Sequence, residues 1–205
     1  MNNDYLKKLL PRLSTTHFCD VYPKIRVLSP TIFPITPNHK IFGRAFTVKA
    51  NGNVHNVLKA LHLAKKNDVL IIHTERTDKA MAGEIFATIA KQKKLAGIIV
   101  DGSCRDPDGI LEVNLPFYAR GIYPVVAHSK KAGQFQKTIT CGGVTIRPAD
   151  IIFGDASGIV VLSDKEFPRF LPAALAILQR ELRIFKGLKQ KLTLPKIFSW
   201  VDFNL

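Results

Sequence analysis

Arg105 and Asp106 stand side by side just past an apolar run, Ala96-Gly97-Ile98-Ile99-Val100, that breaks off at Asp101-Gly102-Ser103-Cys104. A guanidinium grips a carboxylate through a planar fork of N–H donors. A carboxylate next to it can ligate a hard divalent cation, because Mg²⁺ takes one or two protein carboxylates and keeps several waters. Adjacent residues thus offer an anion clamp and a metal ligand; the bland alternative is a solvated turn with an ordinary ion pair. Position at a strand end brings the chemistry level with that alternative. A short run rich in Ile and Val, preceded by the helical pattern of Glu84 to Lys94, predicts a strand covered on both faces of an α/β sheet, and ligands of such sheets gather beyond the strand carboxyl ends. The run is expected to deliver Asp101, Arg105 and Asp106 to that end.

Cys104, beside Arg105, is the one cysteine whose pKa a neighbouring cation could lower, which would make it a nucleophile; a small buried strand-end residue is the expectation. Cys19, Cys104 and Cys141 are odd in number and widely spaced, the pattern of neither a disulfide framework nor a CxxC zinc site. The histidines at 17, 39, 55, 62, 73 and 128 form no ligand-spaced set. His55 and His62, seven apart on one expected helix, are expected in surface or packing roles rather than on zinc.

The elements around the pair follow from periodicity. Leu6 to Tyr22 reads as an amphipathic helix interrupted by Pro11 and restarted at Ser14-Thr15-Thr16, hydroxyls that suit an N-cap. After a proline-punctuated connection from Pro23 to Pro37, Arg44 to Ala50 alternates as a strand, Asn51-Gly52-Asn53 turns, and Val54 to Lys66 has helical spacing. Asp68 to His73 is the next strand, and a loop from Thr74 to Ala80 leads into Ala82-Gly83-Glu84-Ile85-Phe86, the expected start of the second helix. Strand, helix and strand Ile98-Ile99-Val100 then form a unit of the kind that makes a parallel pair. A short helical piece to Val113, a strand at Phe117 to Arg120 and several short strands between Gly142 and Leu162 precede a last helix from Asp164 to Lys186. The tail holds Ile197, Phe198, Trp200 and Phe203, expected to be exposed and to dock on a neighbouring subunit.

At 205 residues, with 46% hydrophobic and 22% charged residues, the chain reads as one folded domain spanning 1–205, with an N-terminal helical segment 1–22 and a C-terminal helix and tail 164–205. No apolar stretch approaches a membrane span, and Met1 to Lys8 lacks the apolar centre of a signal peptide, so a cytoplasmic location is the expectation. The net charge of +14 invites a nucleic-acid reading. The lysines weaken it: the pairs at 7–8, 65–66, 93–94 and 130–131 fall mostly at expected helix ends, and no basic run interleaves with aromatics.

In their order, the motifs resemble the RraA-like family of metal-dependent 4-hydroxy-4-methyl-2-oxoglutarate aldolases and regulators of ribonuclease activity. The resemblance runs from about Ser14 to about Lys191. It is carried by Gly43-Arg44-Ala45-Phe46-Thr47-Val48, Asn67-Asp68-Val69-Leu70, Ala82-Gly83-Glu84-Ile85, Asp101 to Asp106, Phe117 to Gly121, Gly142 to Ile146, Pro148 to Ile152 and Gly154 to Val161. Each is weak alone; eight in family order are specific. Glu84 stands twenty intervening residues before Arg105, the family's spacing, with Glu where the aldolases carry Asp. Two departures stand out: Gly52-Asn53-Val54 where relatives often carry Gly-Asp-Asn, and the charged loop Thr74 to Lys79, which is expected to reshape the entrance to the site.

The resemblance implies a layered β/β/α, swivelling-domain-like α/β fold, assembled as a homotrimer or dimer of trimers with sites at subunit boundaries. It implies a class II aldolase or oxaloacetate decarboxylase that releases pyruvate from a 2-oxo acid with Mg²⁺ or Mn²⁺. Arg105 would bind the pyruvyl carboxylate, Asp106 the metal, and Glu84 water bound to that metal, assisted by the amides of Gly83, Ile85 and Phe86 at a helix start. Glu181 would reach the site from an adjacent subunit's C-terminal helix; a helix-surface salt bridge is its ordinary role. The alternative is a non-catalytic regulator that binds a protein partner, and +14 would suit an acidic partner. Methyl transfer is set aside because no convincing adenosylmethionine site is present.

Overall fold

A computed structural model describes residues 10–37, 39–74 and 78–199. Glu75-Arg76-Thr77 of the charged loop, Trp200, Phe203, the Phe198 side chain and the start of the N-terminal segment lie outside the described residues.

A 3₁₀ turn at Leu10–Arg12 precedes α1 (Thr15–Val21). At its start the Ser14 N–H donates to Nδ1 of His17 at 2.9 Å, so a histidine fills the place that Glu or Gln takes in a capping box. β1 (Arg26–Val27) and β2 (Phe33–Pro34) follow, then β3 (Ile41–Lys49), a turn at Asn51-Gly52, and α2 (Val54–Leu63), capped by Asn53, which accepts from the His55 N–H. Next come β4 (Asp68–His73), β5 (Ala80–Ala82), α3 (Glu84–Gln92), β6 (Gly97–Cys104), α4 (Pro107–Val113) and β7 (Phe117–Ile122). Short strands β8 (Gln134–Phe135), β9 (Ile139–Cys141), β10 (Val144–Ile146), β11 (Ile151–Asp155) and β12 (Gly158–Leu162) lead to α5 (Glu166–Lys189) and α6 (Leu194–Phe198).

The main sheet runs β1-β12-β11-β3-β4-β6-β7-β2, with β8 added to β3 and β5 to β6, and β9 and β10 form a separate hairpin. β3, β4, β6 and β7 are mutually parallel, whereas β11 meets β3 antiparallel, so strand direction changes at β3. The carboxyl ends of β3, β4 and β6 therefore share one edge. β4 stops at His73, opposite Asp101, and β5 then pairs with β6 at Ser103 and Cys104, bringing Gly83 to the end of β6.

Alternation along the strands sorts the core into layers. One sheet face, with Leu70, Ile72, Ile98 and Val100, packs against Val57, Ala60 and Leu61 of α2 and Ala87 and Ala90 of α3. The other, with Val69, Ile71, Ile99 and Tyr118, is covered by Ile139, Cys141 and Ile146 of the hairpin. α1 and α5 close over Ile151, Phe153, Val160 and Leu162 of the antiparallel half. Helix, sheet and hairpin give the expected β/β/α layering of an α/β fold.

Three expectations are corrected. β6 continues through Cys104 instead of ending at Val100, and all eight of its residues are buried. β5 falls where the end of a loop and the start of a helix at Ala82 were expected, because pairing with β6 keeps Ala80–Ala82 extended and α3 begins only at Glu84. Ile197, expected to be exposed, is 1% accessible, because α6 folds back on α5. Among the described residues no helix is long and apolar enough to cross a membrane.

Candidate functional site

Arg105 leaves the end of β6 with its N–H donating to Ala82 O at 3.0 Å, which fixes its backbone beside Gly83. Asp106 follows in the left-handed region, at φ 56°, as N-cap of α4. Pro107 disfavours right-handed helical backbone at the residue before it, and Asp is among the few side chains that tolerate the left-handed alternative. Asp106 Oδ2 lies 3.2 Å from Arg105 Nε, with the two side chains 45% and 40% exposed. A pair so exposed adds little to stability, while left-handed backbone costs on the order of 1 kcal/mol.

Gly83 faces this pair. A Cβ there would stand 2.8 Å from Asp106 Oδ2 and 3.0 Å from Arg105 Cγ, so no larger residue fits without moving the carboxylate. Gly83 is also the N-cap of α3 and offers no side chain to cap it. The first intrahelical bond runs from Ala87 N–H to Gly83 O, leaving the N–H groups of Glu84, Ile85 and Phe86 without intrahelical acceptors. Their partial positive charge favours an anion beside Arg105. Glu84, exposed on the first turn of α3, lays its carboxylate against Gly109 of α4, where a methyl group would collide with it. Glu84 and Asp106 therefore flank α4 with oxygen ligands.

This donor set suits a hard cation that retains water. It comprises two exposed carboxylates and no sulfur or imidazole, and among the described residues no three His, Cys, Asp or Glu side chains converge as a closed cage would require. Of the two, Asp106 could hold such an ion and Glu84 its water.

The remaining expected residues sit elsewhere. Asp101, read as part of the strand-end charge, is inside β6 and 7% accessible; it receives hydrogen bonds from Arg120 Nε and from the Gly142 N–H at 2.9 Å. Burial opposes its ionisation, yet the imidazole of His73 beside it, with the Gly142 and Arg120 donors, holds the carboxyl below its ordinary value. His73 Nδ1, across the sheet at 3.7 Å, is beyond hydrogen-bond reach and is a buried nitrogen without a partner among the described residues. Nothing in the sequence links Arg120 to Asp101 except that both end up on the hairpin face. Cys104 is buried with its thiol pushed up to about 11 by desolvation, so it is a packing residue and no nucleophile. His55 and His62 lie on the surface of α2. Glu181, on α5 over the antiparallel half of the sheet, has its Oε2 2.9 Å from Nε2 of His17 on α1, so within one chain it is not brought to Arg105. A roomy cleft of about 740 Å³ between Phe42, Asn67 and Phe167 opens at the amino ends of β3 and β4, remote from this site.

Residues 15–161 match the family model described as RraA-like, Aldolase/RraA. The chain is 38% identical over 154 residues to a Halalkalibacterium halodurans protein named "Putative 4-hydroxy-4-methyl-2-oxoglutarate aldolase", covering 73% of this chain and 72% of that one. An uncharacterized Pseudomonas syringae protein of known structure superposes with a TM-score of 0.79 at 24% identity, over 96% of this chain and 98% of that one. The structure titled RNA-processing inhibitor RraA from Thermus thermophilis gives 0.67 at 24% identity, over 72% and 91%. At these identities the two structures speak to the fold alone.

Proposed function

Because the chain belongs to the RraA-like family, we propose that it is a divalent-metal-dependent carbon–carbon lyase that releases pyruvate from a 2-oxo acid, of the 4-hydroxy-4-methyl-2-oxoglutarate aldolase or oxaloacetate decarboxylase type. The observation that carries this reading is the exposed Arg105–Asp106 pair held at the carboxyl end of β6 against Gly83, where a side chain at 83 would displace the Asp106 carboxylate.

Arg105 clamps the substrate carboxylate through its fork of donors. The amides of Gly83, Ile85 and Phe86 at the start of α3 stabilise the negative charge that grows as the C–C bond breaks, and they cost no reorganisation because α3 already holds them in place. Asp106 would hold the cation, Mg²⁺ or Mn²⁺, which when bound would supply Lewis-acid stabilisation of the same charge. Glu84 accepts or returns a proton through water. Ile85 and Leu111, 63% and 44% exposed on the two helices that flank the site, would be covered by another copy in a homotrimer or dimer of trimers, and Glu181 would then approach from that copy.

Pyruvate release from 4-hydroxy-4-methyl-2-oxoglutarate and from oxaloacetate tests the reading, measured with Mg²⁺, then with EDTA, on wild type, Arg105→Ala and Asp106→Ala. Metal-dependent turnover lost in both variants is expected. Turnover at background in folded, metal-supplemented protein overturns it and points to a regulator that binds an acidic partner.

A further inference from the structure

We infer that the end of α5, together with α6, is a docking face for an anionic membrane surface, on which the protein lies without spanning it; the inference stands apart from the lyase reading above. Leu171, Leu175, Leu178, Leu182 and Phe185 recur every three or four residues and so form one stripe of α5. The first three are buried against the antiparallel half of the sheet, and Leu182 packs at the edge of that cluster. The stripe then runs off the core: exposure rises from 4% at Leu178 to 57% at Phe185, and Leu188, about one turn on, is exposed as well. α6 folds back on α5 and buries Ile197, but it leaves Phe185 and Leu188 open and adds an exposed Leu194. The last two turns or so of α5 therefore carry an apolar edge that no described residue of this chain covers.

The charge around that edge decides what fits it. Arg183, Lys186, Lys189, Lys191 and Lys196 are all exposed, and Lys189 stands one turn beyond Phe185 on the same helix face. From residue 167 to residue 199 the sole acid is Glu181, and its carboxylate is bound to His17. Two copies joined through this face would set these cations against their own equivalents, and like charges brought together oppose docking. A nucleic acid would take the cations and leave Phe185, Leu188 and Leu194 in water. A bilayer with anionic headgroups meets both demands. Its surface attracts the ammonium and guanidinium groups, their aliphatic stems lie along it, and the Phe and Leu side chains enter the boundary between headgroups and acyl chains. No helix among the described residues is long and apolar enough to go further in.

Co-sedimentation of the full chain with vesicles tests this, using phosphatidylcholine alone and phosphatidylcholine with about one third phosphatidylglycerol. Binding to the anionic vesicles that weakens as salt is raised, with none to the neutral ones, is expected. Phe185→Ser and Leu188→Gln are each expected to weaken it about tenfold, Lys186→Glu about thirtyfold, and Phe185→Leu to keep it. Lys66→Glu makes the same change in net charge beside Phe167, at the other end of α5 and well beyond a screening length, so it is expected to alter binding by about twofold or less. All these sites are on the surface, and the variants are expected to melt within about 2 °C of wild type. No binding to the anionic vesicles overturns the inference. So does binding that ignores Phe185→Ser and Leu188→Gln, or that falls as far with Lys66→Glu as with Lys186→Glu, because net charge alone would then account for it. Sedimentation velocity reads the remaining occupant: an oligomer that dissociates in Phe185→Ser, with wild type indifferent to vesicles, gives the face to a second copy and overturns the membrane.

Discussion

Glu181 Oε2 and His17 Nε2 lie 2.9 Å apart across 164 residues of sequence, and the histidine is almost wholly buried. Because His17 Nδ1 already accepts the Ser14 N–H, the neutral ring carries its proton on Nε2 and donates it to the carboxylate. One side chain thereby caps α1 and fastens it to α5.

Glu181→Gln retains an acceptor for that proton and is expected to melt within about 1 °C of wild type, whereas Glu181→Ala loses about 1 kcal/mol, or about 2–4 °C in a chain of this size. Calorimetry on both variants checks this. Equal melting losses in the two would mean that the charge, not the acceptor, holds α1.

Gly83→Ala introduces a methyl 2.8 Å from Asp106 Oδ2 in a backbone of φ −164°, which alanine adopts freely. The strain therefore falls on the site rather than on the chain. Turnover is expected to fall about a hundredfold, as for a misplacement of about 1 Å, with a small change in melting temperature. Unchanged kinetics would show that the Asp106 position is not critical.

Asp106→Asn keeps a side chain that tolerates φ 56° but removes the anionic ligand. It is expected to retain stability and lose metal-dependent turnover. Asp106→Ala adds a backbone cost of about 1 kcal/mol to the same functional loss. Side-by-side urea melts and Mn²⁺ titrations separate the two effects; an Asn variant that still binds Mn²⁺ like wild type would remove Asp106 from the metal site.

The Asp101 carboxyl ionises more readily folded than unfolded, so the stability it contributes is present near neutral pH and is lost as pH falls below about 4. Urea midpoints from pH 7 to pH 3 should decline more steeply in wild type than in Asp101→Asn. Arg120→Met leaves the buried carboxylate without its guanidinium and is expected to cost about 3 kcal/mol at pH 7. A parallel acid dependence in wild type and Asp101→Asn would assign the loss to other groups.

Burial raises all three thiols, Cys104 to about 11, but only Cys19 is partly accessible. Alkylation of native protein at pH 8 is expected to mark Cys19 slowly and to reach Cys104 and Cys141 only in denaturant. Mass spectrometry reads the sites, and prompt labelling of Cys104 would contradict its packing role.

Arg105-Asp106 was legible in the sequence because one strand ends in two chemically distinct charges, and the β4-α3-β6 unit because its elements are long and periodic. Asp68 to His73 came out residue for residue. Asp101 misled because polar residues inside a strand look like its end. Its partner is on β7 and its cover is a hairpin more than thirty residues downstream, relations that no local pattern encodes. β5, Ala80-Met81-Ala82, has no β-branched residue and is three residues long, so only its pairing with β6 makes it a strand. Ile197 looked exposed because the return of α6 onto α5 is decided by tertiary packing alone.

The clasp between the first and last helices also sets an order of events during synthesis. Leu13 and Phe18 leave the ribosome early, but the surfaces that bury them, from Ile151 to Leu178, are among the last to be made. At about 5–20 residues per second the interval is roughly ten to thirty seconds, long enough for an uncovered apolar helix to meet other nascent chains. The completed protein hides a seam that its own production leaves open, and a holdase that shields that seam would raise its yield without touching its final stability.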